Sequence, residues 1–216
     1  MLKAVIFDLD GTLLDTIEDI AISCNYVLKY YKKAPLCVEE FKLYVGQGAS
    51  RLFEELLPEL SLKEQKEAIE IFEQHYKEQF DKNTKVYEGI DRVLTFFQTE
   101  GIKMAILSNK PDPFVKMCVA KYFKNWNFDA VYGMRENIPR KPDKTAVLEI
   151  LKELKTDANQ ALFIGDTKID MQTAKNAKMD SIGALWGFRD KKELIKHGAT
   201  NIAEYPLDII KIVNDR

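Results

Sequence analysis

Four short and almost wholly apolar runs, Ala4 to Phe7, Met104 to Leu107, Ala161 to Ile164 and Ser181 to Leu185, most constrain how this chain can fold. Each has the length of a strand and lacks the alternation of a strand with one wet face, so each reads as a strand buried on both faces. Helix-period segments lie between them. Ile90, Val93, Leu94 and Phe97 keep an i, i+3, i+4, i+7 stripe, and Ala146, Leu148, Ile150, Leu151 and Leu154 form another apolar segment. Strands that alternate with helices predict an α/β fold with a doubly wound parallel sheet, whose ligands bind beyond the carboxyl ends of the strands.

The stretch 15–85 breaks the alternation. Ile17, Ile20, Cys24, Val27, Leu28 and Tyr31 make one helical stripe, Leu62, Ile69, Phe72, Tyr76 and Phe80 another, with no convincing strand between them. This predicts an all-helical cap inserted after the first strand, with residues 1–14 and 86–216 forming the α/β core. Its joints are expected near Leu14-Asp15 and Lys85-Val86-Tyr87. Pro35, Pro58, Gly89 and Gly101 mark turns, not a flexible linker.

Charge narrows the partner. With 32 basic and 34 acidic residues interspersed, the formal net charge is -2, so no field favours nucleic acid or an anionic membrane surface, and a small molecule is expected. Cys24, Cys37 and Cys118 are odd in number and far apart, which argues against a disulfide framework and a zinc site; all three are expected to be buried thiols. No apolar run is long enough to span a bilayer, and a cytoplasmic setting is expected.

The chemistry-bearing residues stand at the ends of the apolar runs. In Asp8-Leu9-Asp10-Gly11-Thr12, extended backbone would put both carboxylates on one side, and Gly11 allows a sharp turn after them. Two converging carboxylates repel unless a cation or a shared proton compensates, which suits a metal or acid/base site. Ser108 and Asn109 end the second run, where a hydroxyl and backbone N–H groups can meet an anion, and Gly11 is expected to join them in binding phosphate. A lysine follows in Lys141-Pro142-Asp143; the same tripeptide occurs at Lys110-Pro111-Asp112, but Lys141 is preferred because it stands just before the helix leading to the third run. Gly165-Asp166 ends that third run, and Asp170 follows four residues later, which would place both carboxylates on one helical face if a helix begins after Gly165. Hard oxygen donors of this kind suit magnesium.

These four elements, in this order, resemble the haloacid dehalogenase-like hydrolase superfamily over essentially the whole chain. The run Phe7 to Asp15, the segment Val45-Gly46-Gln47-Gly48 and the later Trp186-Gly187-Phe188 resemble its phosphoglycolate phosphatase group most. The resemblance implies a Mg2+-dependent phosphatase acting on a small phosphorylated metabolite, as a monomer or homodimer. Asp8 would be the nucleophile and Asp10 the acid and base. Asp8, Asp166 and the main-chain carbonyl of Asp10 would hold the metal, with Asp170 acting through water or orienting the site, while Ser108 and Lys141 would bind the phosphoryl oxygens. A phosphomutase or pyrophosphatase of the same superfamily and a non-catalytic phospho-ligand-binding protein are the alternatives. Substrate choice is expected in the cap: the glycines of Gly46-Gln47-Gly48-Ala49-Ser50-Arg51 let backbone approach a ligand, and Arg51 is expected to pair with a substrate carboxylate, which suits 2-phosphoglycolate. His75 and His197 stand alone and are expected to be structural.

Overall fold

The computed structural model describes residues 1–216. Its first strand, β1 (Ala4–Phe7), is buried along its whole length. A short β2 (Leu14–Asp15) follows, then four helices, α1 (Ile17–Tyr30), α2 (Val38–Phe41), α3 (Ala49–Leu56) and α4 (Leu62–Gln79), before β3 (Lys85–Val86). Strand and helix then alternate through α5 (Ile90–Thr99), β4 (Lys103–Pro111), α6 (Asp112–Tyr122), β5 (Ala130–Met134), α7 (Thr145–Glu153), β6 (Ala161–Gly165), α8 (Lys168–Asn176), β7 (Asp180–Ala184), α9 (Lys191–Lys196), β8 (Asn201–Ala203) and α10 (Asp208–Asn214).

Six strands form one parallel sheet in the order β5-β4-β1-β6-β7-β8. Side-chain alternation divides it between two cores, which is why its central strands read as unbroken apolar runs. Val5, Phe7, Ile106, Leu162 and Ile164 face α5 through Ile90, Leu94 and Phe97, whereas Ala4, Ile6, Ala105 and Phe163 face α7 through Ala146 and Ile150. Register then positions the chemistry. Phe7 pairs with Ile106 on one side and Ile164 on the other, so Asp8 and Asp166, just past β1 and β6, and Ser108, within β4, emerge at one edge.

The segment between β2 and β3 has its own apolar centre. Ile20, Cys24 and Val27 of α1 meet Phe53 of α3 and Phe72 and Tyr76 of α4, and Phe114 and Phe188 from the sheet-bearing part close the cluster. Phe53 is fully buried and stacks edge-on against Phe72 at 5.6 Å between centroids; burial of a ring this size stabilises by about 2–3 kcal/mol. Helix α4 starts at a capping box in which Glu64 N–H donates to Ser61 Oγ and Ser61 N–H donates to Glu64 Oε2.

Two chain crossings connect this helical unit to the sheet. There β2 and β3 pair antiparallel, Leu14 opposite Val86 and Asp15 opposite Lys85. Beside them the buried carboxylate of Asp19 on α1 accepts from the backbone N–H groups of Asn83 and Thr84, from Thr84 Oγ1 and from Gln79 Nε2, all at 2.8 to 3.0 Å. Burial alone would raise the Asp19 pKa; these donors outweigh it and hold the carboxyl below its ordinary value.

The cysteine expectation needs one correction. Cys24 and Cys118 are buried, but Cys37 is exposed at the start of α2, where its backbone N–H donates to Glu40 Oε2 at 2.8 Å. Position before a helix, not hydrophobicity, decides its placement.

Candidate active site

At the carboxyl edge of the sheet three carboxylates, Asp8, Asp166 and Asp170, offer oxygens within 4.8 Å of one another, and all three residues are buried. Lys141 stands among them, its Nζ 2.9 Å from Asp8 Oδ1 and 2.7 Å from Asp170 Oδ1. Asp8 Oδ1 also accepts the Leu9 N–H at 2.7 Å, so Oδ2 takes part in neither contact.

Each member is held by its neighbours. Asp166 precedes α8 instead of lying on it: Oδ1 accepts from Thr12 Oγ1 at 2.9 Å and Oδ2 from the Phe188 N–H at 2.8 Å. Thr167 is the residue that caps α8, and Asp170 closes the box by accepting from the Thr167 N–H and hydroxyl through Oδ2. Asp170 therefore has Oδ1 on Lys141 and Oδ2 on Thr167, so both of its oxygens, like both of Asp166, accept from protein donors, whereas Asp8 keeps Oδ2 free of them.

Three buried carboxylates against one ammonium leave excess negative charge in a low-dielectric space. Burial first, then the charge of Asp170, pushes the Asp8 pKa up to about 7 even with Lys141 pulling it down. Asp166 is raised well above the carboxylate range by burial and by Asp170 and Asp8. Burial would lower the Lys141 pKa, but the two aspartates outweigh it and keep the ammonium charged. An all-oxygen donor set with unbalanced negative charge fits a hard divalent cation such as Mg2+.

Asp10 belongs to a second ion pair. Its Oδ1 and Oδ2 lie 2.9 and 3.1 Å from Lys110 Nζ, and the lysine is nearly as buried as the aspartates. The same ammonium sits 4.5 Å above the ring centroid of Tyr76 on α4. Lys110, in the tripeptide that sequence alone does not favour, therefore also belongs to the site. Both Lys-Pro-Asp tripeptides deliver a lysine to the site, one to each side of the carboxylate group.

Asp8, Asp10, Ser108, Asn109 and Lys110 line one cavity together with residues of the helical unit. Ser108 Oγ accepts the Lys110 N–H at 3.2 Å. One expected phosphate contact is corrected. The Gly11 N–H already donates to the Leu14 carbonyl at 2.8 Å, and Gly11 has φ of 84°, with a Cβ there falling 2.3 Å from Asp166 Oδ2. Its role is to let the turn pass close to Asp166. The side chain of Asn109 accepts the Lys141 N–H through Oδ1 at 2.9 Å, while its Nδ2 donates to the carbonyls of Lys141 and Gly46 at 3.1 and 3.0 Å. It fastens the Lys141 loop to the helical unit.

Arg51 is a further correction. Its guanidinium pairs with Glu54 and Glu55, each at 3.0 Å, on the exposed side of α3, and it does not line the cavity. Neighbours at i+3 and i+4 on the same helix capture it. Residues to which the sequence pattern assigns no role also matter here. Arg189 donates to the carbonyls of Lys42, Leu43 and Val45, and Arg140 to the Gln47 carbonyl and Ser50 Oγ at 3.0 and 2.8 Å, so two arginines of the sheet-bearing part grip the segment above the site. Trp186 Nε1 donates to the Thr12 carbonyl at 3.0 Å, and Gly187 has no room for a Cβ beside Asp166.

The chain belongs to the haloacid dehalogenase-like hydrolases, whose family profile matches residues 5–184. Within that class it is a phosphoric monoester hydrolase similar to phosphoglycolate phosphatases. It is 30% identical to the phosphoglycolate phosphatase of Aquifex aeolicus over 214 residues, 99% of this chain and 98% of that one. The phosphoglycolate phosphatase of Psychrobacter arcticus is 32% identical over 196 residues, 86% of this chain and 84% of its own. Among solved structures, a protein of Lactobacillus delbrueckii subsp. bulgaricus provisionally named a phosphoglycolate phosphatase superposes with a TM-score of 0.92 at 30% identity, covering 98% of each chain. No helix is long and apolar enough to cross a membrane.

Proposed function

We propose that this phosphatase hydrolyses a small phosphomonoester by passing the phosphoryl group through Asp8, with Mg2+ as cofactor. The observation that carries the reading is the separation of two carboxylate environments: Asp8 in the buried acidic group with Lys141, and Asp10 outside that group with Lys110. Such a division lets one carboxylate form a bond while the other moves protons.

In the first step Asp8 Oδ2, the oxygen without a hydrogen bond, attacks phosphorus, the bond from phosphorus to the ester oxygen breaks, and Asp10 gives that oxygen its proton. In the second step water attacks the phosphorus of the aspartyl-phosphate, Asp10 takes the proton of that water, and the bond to Asp8 breaks to release inorganic phosphate. Ser108, at the floor of the cavity, and Lys141 stabilise the phosphoryl oxygens by hydrogen bonding and charge. Asp8 and Asp166, with the Asp10 carbonyl, would hold Mg2+ and Asp170 would orient the group; when bound, the cation neutralises phosphoryl charge as it shifts in the transition state. The helical unit, residues 15–85, acts as a cap that excludes water from the cavity it covers.

The names of the relatives bring 2-phosphoglycolate forward as a substrate. Hydrolysis of para-nitrophenyl phosphate with Mg2+, its loss on adding a chelator, and its loss in Asp8→Asn test the mechanism. Mass spectrometry of rapidly quenched enzyme should find a phosphoryl group on the peptide holding Asp8. Full activity in Asp8→Asn would refute the reading.

A further inference from the structure

Gly46 and Gly48 take no part in the chemistry above, yet they set the helical unit against two supports of the acidic group. A Cβ on Gly46 would fall 3.2 Å from Cγ2 of Thr167, and one on Gly48 would fall 3.0 Å from the main-chain oxygen of Asn109. With φ of 118° and 85°, both positions also disfavour any other residue. The two glycines let the backbone of the helical unit close onto the sheet side at Thr167 and Asn109.

Each support leads to the nucleophile. Thr167 donates from its N–H and hydroxyl to Asp170 Oδ2, and Asp170 Oδ1 lies 2.7 Å from Lys141 Nζ. Asn109, within β4 and 4% exposed, uses its whole side-chain amide on main chain. Its Oδ1 accepts the Lys141 N–H at 2.9 Å, and its Nδ2 donates to the Lys141 carbonyl at 3.1 Å and to the Gly46 carbonyl at 3.0 Å. A primary amide can bridge in this way because it carries two donors and an acceptor. Lys141 in turn stands 2.9 Å from Asp8 Oδ1. The residue before it, Arg140, bonds the Gln47 carbonyl and Ser50 Oγ, so two successive residues of this loop are tied to the 46–50 segment.

We infer that Asn109 is a positioning residue that couples seating of the helical unit to the placement of Lys141 on Asp8, so that the nucleophile is fully braced only when the 46–48 backbone is docked. The inference rests on the phosphomonoesterase reading above and adds a control to it: the bond-forming group is completed only under a closed cavity, from which water is excluded. Arg189 holds the Lys42, Leu43 and Val45 carbonyls without reaching Lys141. It seats the segment, which governs capture of substrate, whereas Asn109 transmits the seating, which governs the rate of the bound complex.

Gly48→Ala is the deciding variant, because it alters no atom of Asn109, Lys141 or Asp8 and holds the backbone of the helical unit off Asn109. Hydrogen exchange at the Lys141 N–H, read by NMR on the full chain, should quicken in this variant by about tenfold, the worth of one hydrogen bond, while the amides of β1 keep their rates. With Mg2+ and para-nitrophenyl phosphate, kcat should fall by about the same factor. Asn109→Ala, which removes two bonds to Lys141, should lower kcat by about a hundredfold with KM changed by less than about threefold. In the double variant kcat should fall no further than in Asn109→Ala, since the link is already cut. Unchanged exchange at Lys141 in Gly48→Ala, a quickening shared by β1, or losses of kcat that multiply in the double variant overturns the inference and leaves the phosphatase reading intact. Absence of turnover by the unaltered enzyme overturns the phosphatase reading, and exchange at Lys141 then judges the coupling by itself. That measurement needs Gly48→Ala alone, so it decides even where Asn109→Ala is too unstable to assay.

Discussion

Replacing Lys110 with methionine isolates what the second ion pair does. Methionine keeps most of the apolar stem beneath Tyr76 and removes the ammonium that lies 2.9 and 3.1 Å from the two oxygens of Asp10. Both side chains are shielded, with 6% and 12% of their surfaces exposed. At an effective dielectric of about 20, unit charges roughly 3 Å apart attract by about 5–6 kcal/mol. Part of that offsets the desolvation of the pair, leaving about 3 kcal/mol that holds the Asp10 carboxylate in place. Without this partner the carboxylate is no longer fixed where it must give a proton in the first step and take one in the second, and about 3 kcal/mol of lost positioning corresponds to roughly a hundredfold in rate. We therefore expect Lys110→Met to lower kcat by about a hundredfold. Steady-state kinetics, with rapid-quench measurement of the phosphate burst and mass spectrometry of the Asp8 peptide, reads the loss and the step at which it falls. Lys110→Arg, which keeps the charge, should restore part of the rate. A Lys110→Met variant with a wild-type rate would refute the reasoning.

Asp19→Ala should strip the acceptor from the Asn83 and Thr84 N–H groups and cost about 3 kcal/mol, a melting temperature lower by roughly 6–12 °C. Because the folded pKa of Asp19 lies below its ordinary 3.8, its stabilisation is complete above that value and is lost as pH falls through the folded pKa. Melting curves at pH 7 and pH 3 should show the gap between wild type and variant narrowing in acid. Without Mg2+ the signs reverse at Asp8, whose pKa is raised from 3.8 to about 7: the folded state holds the extra proton, so this group's contribution to stability falls as pH rises through that window. Mg2+ should therefore raise the melting temperature more at pH 8 than at pH 6, and an equal shift at both would contradict the acidic group as its site. Arg189→Ala frees the carbonyls of Lys42, Leu43 and Val45 and should raise KM by about tenfold with a smaller change in kcat. Steady-state kinetics measures it, and Arg189→Lys should recover little, since one ammonium does not reproduce the planar fork.

The central sheet was legible because burial on both faces writes itself into sequence as unbroken apolar runs. The two outer parallel strands were not: β5 mixes Tyr132 and Gly133 into its five residues and is only partly buried, and β8 has three residues and begins with Asn201. An edge strand has one neighbour and needs less apolar surface, so it leaves a weaker signature. The carboxylates Asp8, Asp166 and Asp170 were legible for a related reason. Each follows a buried strand or the turn after it, and parallel register then brings them together without any choice of rotamer or loop.

Lysines carry no such guarantee. Their long flexible stems reach a site from several backbone positions, so spacing fixes the attachment point and not the destination of the charge. The two Lys-Pro-Asp tripeptides present the same residues, and ranking them as one site lysine and one turn residue treated the demand for positive charge as a demand for one cation. Counting anions points elsewhere. Asp8 and Asp170 engage Lys141, and Asp10 lies beyond that ammonium's contacts, in a space slightly more open, with 12% of its side chain exposed. A second buried carboxylate environment calls for a second cation, and Lys110, two residues after Ser108 on the strand beside β1, is the lysine that the register brings to it. Arg51 fails by the same reasoning. Its helix supplies Glu54 and Glu55 at the spacing that neutralises it locally, and the cavity wall beside it presents no anion to draw it inward.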